Sequence, residues 1–177
     1  ADINATQSDG RTALMLAAEH SRDPELIRTL VRLGAETEAR LDSGHTALMI
    51  TAANNDEPTI TAALLEMGAD PNAALANGWT ALILAGRYSR NQEVLRELVL
   101  GGAEVDARDE LGRTALMVVA SENHESPNDE LVRTLLEAGA DPTATVPGGD
   151  SVLTAAVRGT RDPEVVRLLV AAGADVN

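Results

Sequence analysis

Apolar residues along this chain fall in short clusters at helical spacing, and the clusters recur at a fixed interval. In the first stretch, Leu14, Leu16, Ala17 and Ala18 lie on one helical segment, with Thr12 placed to cap it. A threonine there satisfies an amide that the first turn leaves without a partner. A second helix is predicted from Asp23-Pro24-Glu25, an acid at the cap, a proline at the first helical position and an acid in the first turn. Leu26, Ile27, Leu30 and Val31 follow at helical spacing and predict one apolar, core-facing stripe. Gly34 then closes the helix, because the left-handed residue past a helix end is least costly as glycine.

The same arrangement returns along the chain. Gly-x-Thr-Ala-Leu begins at Gly10, Gly44, Gly78 and Gly112, with a degenerate copy from Gly149 to Leu153. Gly-Ala-Asp/Glu begins at Gly34, Gly68, Gly102, Gly139 and Gly173. From each of the first four of these glycines to the Thr or Ser of the following Gly-x-Thr/Ser string is 12 residues. The units run over 2–35, 36–69, 70–103, 104–140 and 141–174, with the start of a sixth at 175–177. Near-constant spacing over five copies predicts a stack in which each unit buries its apolar face against the next.

On these strings the chain resembles an ankyrin-repeat protein over essentially its whole length. The family's T-P-L-H-x-A pattern appears as Thr12-Ala13-Leu14-Met15-Leu16-Ala17, with similar copies at Thr46, Thr80 and Thr114. The resemblance implies a single domain of the all-α class, an ankyrin-type repeat solenoid of helix-loop-helix units joined by β-hairpin-like turns. Three departures from the family pattern matter. The proline is replaced by Ala13, Ala47, Ala81, Ala115 or Val152. The histidine that usually bonds a neighbouring loop is Met15, Met49, Ile83, Met117 or Thr154, which predicts apolar packing in its place. The period is 34 instead of 33, the extra residue lying between the helices.

Composition narrows the chemistry. There is no Cys, Phe or Lys; all 14 basic residues are Arg, and with 28 acids the net charge is −14. Cysteine-based metal, haem and redox sites are therefore excluded. The charge opposes nucleic acid, and the apolar runs are too short for a membrane span. Leu, Ile and Val number 42, enough for a core, and 30 alanines suit a thin helical stack. None of the three histidines has a second at metal-ligand spacing, and no nucleophile elbow or phosphate loop occurs. No catalytic, cofactor or metal residue is expected, and the chain is expected not to be an enzyme. The longer fourth unit places Glu122, Glu125 and Asp129 between its helices, read as a solvated loop or, less readily, a contact finger or cation site. The ends fall inside the repeat strings and predict a segment trimmed from a longer protein, with a mature chain starting after signal-peptide cleavage as the competing explanation. A cysteine-free chain fits the cytoplasm, the location expected, and also the periplasm.

In ankyrin-type proteins the concave surface is lined by hairpin tips and first helices, so the resemblance implies a protein or peptide partner there. The only Trp and Tyr, Trp79 and Tyr88, both fall at such positions in the third unit, beside Arg87. His45, Asn77, Leu111 and Arg113 flank them and complete the candidate partner-binding set. Trp, Tyr and Arg dominate interface hot spots. The opposing reading is that Trp79 caps the neighbouring hairpin and Tyr88 shields a helix end. A scaffold or recruitment module is expected, acting as a monomer. The alternative is an inhibitor or immunity-type protein that blocks a basic enzyme or toxin. The acidity suits a basic partner and equally serves solubility.

Overall fold

The computed structural model describes residues 2–121, 129–160 and 162–175. Among these, ten helices follow one another in pairs: α1 (Ala13–His20) and α2 (Pro24–Arg32), α3 (Ala47–Asn54) and α4 (Pro58–Glu66), α5 (Ala81–Tyr88) and α6 (Gln92–Leu100). The last two pairs are α7 (Ala115–Ser121) with α8 (Asp129–Glu137), and α9 (Val152–Gly159) with α10 (Pro163–Ala171). First helices pack on first helices (α1 on α3, α3 on α5, α5 on α7, α7 on α9) and second helices on second helices, so the molecule is two helical layers thick. The connecting hairpins are turns that reach only isolated antiparallel bridges, Ala74 to Thr80 and Thr145 to Ser151. Most of the Ser121–Glu130 insertion, with Glu122, His124 and Glu125, lies outside the described residues.

Local chemistry sets each helix. Thr12, Thr46, Thr80, Thr114 and Ser151 each accept the amide of the residue three further on, at 3.2–3.4 Å. In the fifth repeat Thr154 reciprocates with the Ser151 amide, a full capping box. Asp23 caps α2 through the Glu25 amide at 3.0 Å, while Glu57 at the start of α4 makes no such bond. After α2, the amides of Gly34 and Ala35 return to the carbonyls of Val31 and Leu30, which needs the φ of +99° that Gly34 adopts.

The first-helix layer is the core. In α3, α5 and α7 six consecutive residues are buried, Ala47–Ala52, Ala81–Gly86 and Ala115–Ala120, so none of these helices has a solvent stripe. Met15, Met49, Ile83 and Met117 lie inside this layer, apolar packing standing where the family has histidine, but the fifth residue of the set, Thr154, is exposed and bonds Ser151 instead. Polar links between repeats come from other residues. Thr51 Oγ1 donates to the Ala18 carbonyl at 2.6 Å. Asn4, Glu38, Asn72 and Asp106, at one position in successive repeats, accept the backbone amides of Glu36, Asp70, Glu104 and Asp141. Each of these four repeats thus clasps the main chain of the next.

The stripe expected of α2 is not uniformly in the core. Ile27 is fully buried, Leu30 and Val31 are partly buried, and Leu26 is 43% exposed. The residues at the Leu26 and Leu30 positions of the next two repeats, Ile60, Leu64, Val94 and Leu98, are fully buried. The difference is positional: these side chains face the repeat before, and among the described residues no repeat lies before residues 2–35. The mirror image occurs in the fifth, where Val165 and Leu169 are buried and Val157 and Val170 are exposed.

Candidate functional site

The hairpins and the last turns of the first helices meet along one edge of the stack. Trp79, on the third hairpin, is partly buried against the core, and Tyr88, ending α5, is 51% exposed. Their ring centres are 6.4 Å apart at 46°. The Arg87 guanidinium sits 5.8 Å from the Trp79 ring and 5.6 Å from that of Tyr88, and Arg113 lies 5.9 Å from Trp79 on the next hairpin. Such cation–π geometry orders the two arginines beside the aromatic pair.

The residue that organises this cluster is Asp109, whose side chain is only 1% exposed. Its carboxylate accepts the amides of Leu111 and Arg113 at 2.9 and 2.8 Å, Arg113 Nε at 2.8 Å, and Trp79 Nε1 at 3.3 Å. Burial alone would push this carboxyl up; the Arg113 guanidinium and the two amides outweigh it and hold it below the usual carboxylate range. The hairpins approach so closely here that the Glu110 amide donates to the Asn77 carbonyl at 3.0 Å. A Cβ on Gly78 would lie 2.8 Å from the Asp109 backbone, and its φ is +80°. Trp79 therefore does cap the neighbouring hairpin, as the opposing reading had it, while Tyr88 projects outward.

Six of the seven candidate residues border two openings on either side of this aromatic ridge, and Arg87 stays on the ridge itself. His45, Asn77, Trp79 and Tyr88 border a depression of about 530 Å³ whose floor includes Leu41, Leu75, Ile50 and Leu84. Leu111 and Arg113 border a second, of about 300 Å³, with Met117, Val146 and Ala155. His45 is tilted toward its neutral form by burial, and its Nδ1 lies 2.9 Å from Ser43 Oγ. These two openings share a feature, while a third, of about 570 Å³, lies at the fifth repeat beside Val157 and Arg158. In repeats one, three and five, the residue after the hairpin glycine meets the residue eight positions later: Arg11 with Glu19, Trp79 with Arg87, Asp150 with Arg158. In repeats two and four that later residue is Ala53 or Ser121, too short to cross, and each lines an opening.

Sequence reasoning missed Asp109 and Ala53, whereas the repeat alignment already puts Ser121 in the groove of the fourth unit. Asp109 stands three residues before its hairpin glycine, where repeats two, three and five have Leu41, Leu75 and Val146, so a column-by-column comparison carries the signal. Among the described residues no group of three metal-ligating side chains comes together, and no helix is long and apolar enough to cross a membrane.

Two helical layers built from repeated capped pairs, joined by tight hairpins, define a helical-repeat solenoid. The family described as "Ankyrin repeats (3 copies)" matches residues 14–109 and 87–177, and the chain belongs to it. Ankyrin repeats are generally protein–protein interaction modules, typically without enzymatic activity. No curated protein matches the chain.

Proposed function

We propose that the hairpin-lined face of the stack is a docking surface through which this segment recruits a protein or peptide partner. The observation that carries the reading is the ridge of Trp79, Tyr88 and Arg87, the chain's whole aromatic complement gathered at the central repeat and flanked by two openings. Rigid aromatics beside arginine are the groups that anchor interfaces. Asp109 supports the same use, because it fixes the indole and the Arg113 guanidinium before any partner arrives and so lowers the ordering cost of binding.

The test uses Tyr88 instead of Trp79, whose indole also serves the fold. Proteins retained from source-cell extract by the immobilised chain are compared with those retained by Tyr88→Ala. Tyr88→Ala is expected to weaken the retained partner by about 2 kcal/mol, near thirtyfold, at an unchanged melting temperature. Leu100→Ala, at an exposed residue of the second-helix layer, serves as control. Equal affinity in wild type and Tyr88→Ala overturns the reading. Stoichiometric loss of a retained enzyme's activity would favour a blocking role over recruitment.

A further inference from the structure

The two openings share more than a missing bridge. The +7 residue of each first-helix segment, counted from its capping Thr or Ser, is Glu19, Ala53, Arg87, Ser121 and Arg158 in successive repeats. Long side chains occupy repeats one, three and five; small ones occupy two and four. The two small residues each line an apolar-floored opening, one repeat to either side of the Trp79 ridge. A second position alternates in step. Two residues before the hairpin glycine stand Ser8, Asp42, Ala76, Glu110 and Pro147, so the only two carboxylates in that column belong to the repeats that carry the openings. Both are exposed at the hairpin tips, Asp42 next to Ser43 and Glu110 next to Leu111, which line the respective openings.

We infer that the groove takes one extended, basic segment of a partner protein, which seats a bulky apolar side chain in each opening, over Ala53 and over Ser121, with Lys or Arg beside each anchor facing Asp42 and Glu110. The inference rests on the docking reading above and gives it a spacing. Packed helices lie about 8–10 Å apart, so openings two repeats apart are separated by about 16–20 Å. Extended chain advances about 3.3 Å per residue with alternate side chains on one face. The anchors therefore fall six residues apart, an even number that points both into the groove. The chain's charge of −14 favours the basic occupant, and the apolar floor of Leu41, Ile50, Leu75 and Leu84 favours an uncharged anchor between the carboxylates.

The probe is a random fifteen-residue peptide library displayed on phage and selected on the whole chain. Synthetic versions of the winners are titrated against emission from Trp79, the chain's single tryptophan. The expected winners carry two bulky apolar residues six apart, each next to Lys or Arg, and perturb Trp79 emission. Ala53→Arg and Ser121→Arg, which install the residue that repeats three and five already hold at this position, are each expected to lower affinity about tenfold or more without altering the melt. Should either fail to fold, Ala53→Glu or Ser121→Glu, which install the residue that repeat one holds as Glu19, takes its place. Winners sensitive to Tyr88→Ala but indifferent to both arginine variants overturn this inference and leave the docking reading standing. Winners that ignore all three substitutions overturn both. A library that yields no peptide perturbing Trp79, or winners without the six-residue spacing, also overturns the inference.

Discussion

Asp109 shows how one residue can serve fold and site together. Its carboxylate closes its own hairpin through two amides and reaches back to the indole of the preceding one. Asp109→Asn is expected to cost about 1.5–3 kcal/mol near neutral pH, the worth of charged hydrogen bonds that a neutral amide makes less well. The sign with pH follows from the depressed titration. A carboxyl held below its unfolded value contributes stability fully present above the ordinary aspartate range, and lost as pH falls through the folded pKa. Thermal melts of wild type and variant should therefore differ at neutral pH and converge in strong acid; a constant difference would contradict the assignment. Of the candidate residues, Trp79, Tyr88 and Arg87 were legible because rarity and repeat position singled them out. Asp109 was not, since one acid among 28 is conspicuous only once its column is seen to be apolar in three of the other four hairpins.

At the scale of the element, the helices are what capping and periodicity predict, and the faces are what they cannot fully predict. All five first helices begin where Thr or Ser accepts an amide, and the prolines at 24, 58 and 163 open second helices. Which apolar residues reach the core depends on the neighbour, so α3, α5 and α7, walled on both sides, each bury six consecutive residues. One element carries a defect. Thr61 in α4 is fully buried, and its hydroxyl has no hydrogen-bond partner among the described residues. The equivalent residues in the other second helices are Ile27, Leu95, Val132 and Val166. Thr61→Val is expected to stabilise the protein by about 1 kcal/mol by removing an unsatisfied hydroxyl. A rise in the urea midpoint at constant slope checks it; no change would mean that the hydroxyl is satisfied in solution.

For the whole molecule, a residue's worth depends on where its repeat stands in the stack. Leu64, enclosed on both sides, should cost about 2–5 kcal/mol when cut to alanine. Leu30, at the same position in the first repeat but only partly buried, should cost under about 2 kcal/mol. Chemical denaturation of both variants decides, and equal losses would contradict the end effect. The repeat period made the architecture readable in advance, whereas the openings were hidden because they arise from what two repeats lack. The clasp of Asn4, Glu38, Asn72 and Asp106 onto the following main chain joins residues 32–35 positions apart. Among the described residues the substantial helix contacts reach no further than the next repeat, and none of them ties one end of the molecule to the other. Because each clasp and each substantial helix contact joins only neighbouring repeats, a stack drawn out along its axis is expected to yield one repeat at a time, each release leaving the remaining clasps in place.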